Sequence, residues 1–332
     1  MTDQDQPATD QHRTEPALDR GHRHAAAMWA GATSFCRLPY AGDLAGVDLA
    51  IVGLPVDAFV SNRPGTRLGP RAIRAASAML AWERAWPSEF DPFETMRVAD
   101  WGDVSFDYGQ PAGIPGEIEA ALRAIHAAGP ATLCLGGDHF VAYPSLCAHA
   151  ARHGAPLSLI QFDAHTDTWG AEGREQHRLD HGTMFRRAAE EGLIDPASSI
   201  QIGIRTTNDT PMGFTIRDAG WVHENGPDAV VAEIRRVVGD RPAYLSFDID
   251  CLDPAYAPGT GTPVCGGLSS WTAKECLRRL GLAGGTRIVG MDLVEVSPPF
   301  DHAEVTALAG ATLALEMICL YARLTGRAGA GA

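Results

Sequence analysis

LSLIQFDA, residues 157–164, runs directly into HTD, residues 165–167. A short apolar run that ends in acids reads as a buried strand delivering polar groups to a sheet edge. The same grammar recurs along the chain. LAIVGLPV (49–56), ATLCLGG (131–137), SIQIGIR (199–205), AYLSFDID (243–250) and RIVGMDLVEV (287–296) read as further strands. Between them lie stretches of helical periodicity: GPRAIRAASAMLAWERAW (69–86), EIEAALRAIHAAG (117–129, closed by Gly129 and Pro130), and residues 228–239, 269–281 and 303–324. Strands alternating with helices predict an α/β fold, a mostly parallel central sheet covered on both faces in three α/β/α layers. Neither a repeat nor a Gly-, Ser- or Pro-rich linker divides the core. One domain is therefore expected over 31–325, with a polar arm over 1–30 and a short tail over 326–332.

Composition narrows the function. Among 332 residues there are 27 Lys+Arg against 41 Asp+Glu, a formal charge of −14. An acidic chain without a basic stripe excludes nucleic acid as the expected partner and favours small cations and metal ions. No continuous apolar run approaches the roughly 20 residues of a membrane span, so no membrane partner is expected. The seven cysteines form no C-x-x-C pair, which fits reduced thiols in a cytoplasmic protein. The first twenty residues, MTDQDQPATDQHRTEPALDR, lack the charged start and apolar stretch of an export signal. His12, His22 and His24 in the arm read as surface residues. Lys274 is the only lysine, leaving little room for lysine-based covalent chemistry.

The chemistry gathers where the strands end, at the carboxyl edge of such a sheet. One strand ends Gly136-Gly137-Asp138-His139, the next Asp163-Ala164-His165-Thr166-Asp167, and a later one Asp248-Ile249-Asp250. Alternate residues of an extended chain share a face, so Asp163, His165 and Asp167 are expected to point together, as are Asp248 and Asp250. Carboxylates are costly to bury unpaired. Two imidazoles among four carboxylates call for a pair of divalent metals; the mixed oxygen and nitrogen set suits manganese and also admits nickel, iron or zinc. APGTGTPVCGG (257–267) lacks the lysine of a P-loop and the spacing of a dinucleotide fingerprint, and reads as a shaped active-site loop.

Taken together, GGDHF, FDAHTDTW, DHGTMF, SFDIDCLDPAYAPGTGTPVCGG and MDLVEVSP resemble the ureohydrolases, the superfamily of arginase and agmatinase, and within it the bacterial agmatinases. The resemblance runs from about Gly31 to Arg323. It implies two manganese ions: His139, Asp163, Asp167 and Asp248 around one, His165, Asp163, Asp248 and Asp250 around the other, with Asp163 and Asp248 bridging. It also implies a homo-oligomer, a trimer or hexamer. A guanidinium carbon is a poor electrophile, and two metals sharing one water lower its pKa from about 15.7 towards neutrality. The resemblance gives Glu295 the task of orienting the guanidinium through paired hydrogen bonds. His181 in DHGTMF would protonate the leaving amine, whereas His177 lies outside that motif.

Substrate identity rests on the polar loop from Thr168 to Asp180. Arginases carry an asparagine two residues after D-A-H-x-D, where this chain has Trp169. An aromatic wall disfavours arginine and suits agmatine, giving putrescine and urea; Trp169 is equally open to a core role. Other guanidino substrates, 4-guanidinobutyrate, free guanidine or a biguanide-like compound, form the alternative. A carboxylated one would want Arg174, Arg178 or Arg205 near the mouth. A non-catalytic partner subunit is the third reading, and the intact ligand set argues against it.

Overall fold

The computed structural model describes residues 27, 29–31, 33–82, 84–88, 90–154, 156–170, 179–210 and 212–328. Eight strands form one sheet: β1 (Leu49–Leu54), β2 (Val98–Asp103), β3 (Ala131–Gly136), β4 (Ser158–Phe162), β5 (Ile200–Ile204), β6 (Thr215–Asp218), β7 (Pro242–Asp248) and β8 (Arg287–Val294). Their order is β2-β1-β3-β8-β7-β4-β5-β6. Every pairing is parallel.

The pleat sorts each strand's side chains into two cores. Leu49 and Ile51 of β1 join Leu133, Leu135, Ile160 and Phe162 on one face. Helices α1 (Gly69–Ser77), α6 (Ala219–Val238), α7 (Ser270–Ala283) and α8 (Val305–Leu324) cover that face. Ala50, Val52 and Leu54 join Cys134 and Leu159 on the other. It is covered by α3 (Ile114–Ala128), α4 (Ala142–His153) and α5 (Met184–Glu190). The short α2 (Pro92–Thr95) adds Phe93 to the first core. The three-layer expectation therefore holds.

Several elements differ from their sequence reading. The helix expected over 69–86 stops at Ser77, whose hydroxyl bonds back to the Arg74 carbonyl at 2.7 Å and accepts the Cys36 amide, also at 2.7 Å. Such side-chain competition for the backbone favours helix ends. A 3₁₀ turn, Ala78–Leu80, follows. Helix α6 begins well before residue 228 and is broken at Gly226, ahead of Pro227. The edge strands β2 and β6 lacked an apolar signature because their outer residues are only partly covered.

The expectation that no continuous apolar run is long enough to span a membrane stands, although one long helix comes near to being able to cross one. Helix α8 has the length and composition to do so, with a mean hydropathy of 1.7, but 78% of that window is buried within the protein. Glu316 and the small residues Ala307, Ala311 and Ala314 face neighbours in the core rather than lipid.

Candidate functional site

The central strands β3, β8, β7 and β4 are neighbours, and with about 4.8 Å between strands their ends span roughly 14 Å. His139 follows β3, Glu295 follows β8, Asp248 ends β7 and Asp163 follows β4. The approach to His139 depends on Gly137. A Cβ there would lie 1.7 Å from the Val56 carbonyl oxygen. The chain passes so close because the Gly137 and Asp138 amides donate to Leu54 and Val56, each at 2.7 Å. Asp138 then caps the turn His139–Val141 and accepts the Phe59 amide at 2.9 Å. Burial, then the charge of Glu295, push the Asp138 carboxyl up to about 8.

The expected ligands converge, but not by strand alternation. β4 stops at Phe162, and beyond it Asp163 Oδ1 accepts the His165 amide at 2.6 Å while Asp167 takes a left-handed backbone, φ 51°. Likewise Asp250 lies in a 3₁₀ turn, Ile249–Cys251, whose cap is Asp248 Oδ1 accepting the Asp250 amide at 2.8 Å. Carboxylate-capped turns, rather than the pleat, aim these side chains.

Two clusters result. His139 Nδ1 stands 2.9 Å from Asp167 Oδ2, 3.1 Å from Asp163 Oδ2 and 3.2 Å from Asp248 Oδ2. His165 Nδ1 stands 3.1 Å from Asp250 Oδ2 and 3.4 Å from Asp163 Oδ1. Asp163 thus reaches both groups, one oxygen to each. Asp248 reaches the first with Oδ2 and spends Oδ1 on the Asp250 amide. Burial and then Asp163 push the Asp167 carboxyl up to about 7, while burial and then Asp250 raise Asp248 well above the carboxylate range. Burial alone would lower both imidazoles, yet Asp163, Asp167 and Asp248 hold His139 well above its ordinary value. Asp250 and Asp163 raise His165 to about 12. Crowded acids demand positive charge at the imidazole nitrogens.

The partners behind His139 decide how it is used. Asp292 Oδ2 accepts the Tyr244 hydroxyl at 2.8 Å and Oδ1 accepts the Ser246 hydroxyl at 2.7 Å. With its proton committed to Asp292, Ser246 Oγ can only accept from His139 Nε2, 2.7 Å away. In the neutral ring, a proton on Nε2 leaves a lone pair on Nδ1, which is buried, faces three carboxylates and makes no hydrogen bond. Like-polarity atoms so arranged fit a cation between them, so the residues present suit the expected metal pair.

Beside the clusters, Glu295 Oε1 accepts the His139 amide and faces His181 Nδ1, both at 2.8 Å. Its other oxygen, Oε2, is buried without a hydrogen-bond partner. Glu295 itself has a left-handed backbone, φ 65°, the kind of strain that functional sites retain. On the far side of the ring, His181 Nε2 lies 2.9 Å from the Ser61 amide and 2.7 Å from the Ser61 hydroxyl. Burial lowers His181, but Glu295 lifts it to about 9, favouring a charged ring. The Ser61 amide, which can only donate, instead requires a lone pair on Nε2. That contact is direct and selects the neutral form with its proton on Nδ1.

A cavity of about 300 Å³ opens on this edge, lined by His139, His165, Asp167, Asp248 and His181 together with Trp169, Ser61, Asp180, Gly182 and Thr262. Trp169 is half-buried, its ring 6.0 Å from that of His165; it is a wall residue rather than a core one. Asp163, Asp250 and Glu295 stand behind the lining and are nearly inaccessible. Arg205 is not at the mouth: its guanidinium is spent on the carbonyls of Gly203, Asp250, Cys251, Leu252 and Val264. Arg174, Arg178 and His177, with most of the 168–180 loop, and His12, His22 and His24 lie outside the described residues. Ser61, Asp138 and the Tyr244–Asp292–Ser246 chain were not anticipated, whereas Thr262 comes from the 257–267 loop expected to shape the site. Asp292 carried a readable signal, an acid in the middle of an apolar strand; Ser61, in a loop, carried none.

Comparison with known proteins agrees with this geometry. Residues 47–319 match the model of the arginase family. An agmatinase from Chromobacterium violaceum is 52% identical over 292 residues, covering 88% of this chain and 89% of that protein. The crystal structure of a hypothetical agmatinase from Burkholderia thailandensis superposes with a TM-score of 0.88 at 48% identity, covering 93% of this chain and 98% of that one. The proclavaminate amidino hydrolase of Streptomyces clavuligerus gives a TM-score of 0.82 at 36% identity, covering 90% and 100%. With a family match over most of its length and the edge-of-sheet constellation that its motifs led one to expect, this chain belongs to the arginase family.

Proposed function

We propose that this protein hydrolyses agmatine to putrescine and urea at two divalent cations, manganese in the working enzyme. One observation carries the metal reading: two His/Asp clusters share Asp163, and the lone-pair nitrogen of His139 faces three carboxylates. His139, Asp163, Asp167 and Asp248 would hold one ion, and His165, Asp163, Asp248 and Asp250 the other. When bound, the pair would supply a water activated for attack at neutral pH.

The chain's own side chains would do the rest. Glu295 Oε2, buried without a partner, is the one oxygen left to accept an N–H from a planar guanidinium, because Oε1 is held by the His139 amide and His181. Glu295 Oε1 meanwhile holds the His181 ring by Nδ1. His181 lines the cavity and is the proton source for the departing amine. Trp169 gives the substrate's methylene chain an apolar wall. Arg205, one of three arginines that a carboxylated substrate would want at the mouth, is committed to carbonyl oxygens and offers no such grip.

The deciding experiment is urea release by manganese-loaded and nickel-loaded protein from agmatine, 4-guanidinobutyrate, guanidine and arginine. Agmatine turned over at least tenfold faster than the others, with manganese, is the expected result. Preference for another guanidino compound would overturn the substrate while leaving the metal chemistry in place. The same reading makes the protein a cytoplasmic homo-oligomer, a trimer or hexamer, which light scattering of the purified protein checks.

A further inference from the structure

Ser61 lies in the loop between β1 and α1, and several contacts hold that loop against the catalytic edge. Phe59 donates its amide to Asp138 at 2.9 Å and accepts the His181 amide at 3.2 Å. Asn62 Nδ2 donates to the Gly261 carbonyl at 3.0 Å, and the Gly65 amide donates to Asp57 at 2.9 Å. Ser61 is thereby seated on His181, with its amide nitrogen 2.9 Å and its hydroxyl oxygen 2.7 Å from Nε2. Both Ser61 and His181 line the cavity.

Two consequences follow. With two heavy atoms already within hydrogen-bond distance of Nε2, its single lone-pair direction is taken, which leaves a leaving nitrogen no direct line to it. Moreover, once Nε2 carries a proton the Ser61 amide repels it, whereas a hydroxyl rotates and can accept from one side while donating to the other. We propose that the Ser61 hydroxyl relays the proton from His181 to the leaving amine. As the carbon–nitrogen bond of the tetrahedral adduct breaks, its electron pair stays on nitrogen and takes the Ser61 Oγ proton. The Oγ–H bond breaks and the new N–H bond forms, while the proton given up by the attacking water and held until then on His181 Nε2 passes to Oγ and restores the hydroxyl. The ring returns to its neutral Nδ1–H form against Glu295.

This inference rests on the proposed role of His181, and the test separates the two. Turnover, KM and proton inventory in mixed H₂O/D₂O are compared for manganese-loaded wild type, Ser61→Ala, Ser61→Thr and His181→Ala, each with its metal content and Tm recorded. Ser61→Ala is expected to lower kcat roughly 10- to 100-fold, within the range of acid–base effects, with KM little changed. Ser61→Thr, which keeps the hydroxyl, should restore most of it. The inventory should be curved, two protons in flight, in wild type and Thr variant but linear in Ser61→Ala. Wild-type turnover in Ser61→Ala overturns the relay if His181→Ala is slow. A slow Thr variant, or an unchanged inventory, overturns it in favour of a purely structural hydroxyl. If His181→Ala itself turns over normally, the His181 reading falls and the relay with it.

Discussion

At the scale of single residues, the site is a matter of which lone pair faces which proton. Asp248 holds the cap of its own turn and faces His139, so Asp248→Ala is expected to lose both metal and activity; full metal content with near-normal turnover would contradict the two-metal assignment. The His181 ring hydrogen-bonds Glu295 and Ser61 and, among the described residues, no proposed metal ligand. His181→Ala should therefore retain metal, measured by elemental analysis, and slow turnover roughly 10²–10⁴-fold. Asp292 acts at one remove, through Ser246 on His139. Asp292→Asn turns an acceptor into a donor–acceptor pair and loosens the tautomer. A fall in metal affinity of roughly 10- to 100-fold is expected, read by titration with a competing chelator. The six proposed ligands, Glu295 and His181 were legible at this scale because motifs name residues. Ser61 and Ser246 were not, because a hydroxyl's role depends on the atom opposite it.

At the scale of elements, the edge works because a turn sits where the pleat ends. Strand patterning foresaw β3, β4, β7 and β8, whose side chains are buried on both faces. It attributed the convergence of Asp163, His165 and Asp167 to an extended chain, whereas side-chain-to-amide caps produce it. Periodicity reports which residues are apolar, and says nothing about a carboxylate bonding the backbone two residues on. Helix α8 shows the converse. Its composition would serve in lipid, but Leu320 is buried and packs beside Gly281 of α7. Leu320→Ala is expected to cost about 2–5 kcal/mol by leaving a cavity. Urea denaturation should show this loss while KM is unchanged.

For the whole molecule, stability is tied to protons and metal. His126 and His149 are buried against each other, ring centroids 4.4 Å apart, away from the catalytic edge. Burial, then Arg152, hold His126 down to about 4; burial, then His126, hold His149 down to about 3. In the unfolded chain both return to about 6.5, so between about pH 6.5 and 4 the unfolded state binds more protons than the native one. Their contribution is whole above pH 6.5 and is lost as pH falls through that window. Tm should drop from pH 7 to pH 5, and less steeply in His149→Gln; parallel curves for the two proteins would refute the assignment. Metal removal should act alike, because it leaves four carboxylates sharing one buried edge. EDTA-treated protein is expected to melt lower than the manganese-loaded form and to recover on adding manganese.

The order of apolar runs and helical stretches determined, without any coordinates, a three-layer α/β fold, and strand-end acids and histidines picked out the candidate metal ligands. Both are local properties of chain chemistry: period, burial preference and ligand type. Only the tertiary structure decided that four adjacent strands bring those residues to one edge. It likewise decided that Asp163 reaches both clusters, that Arg205 serves the backbone and that Ser61 sits on His181. These outcomes depend on which groups meet in space, some of them far apart in sequence (156 residues for His139 and Glu295), where a few tenths of an ångström settle whether a hydroxyl accepts, donates or does neither.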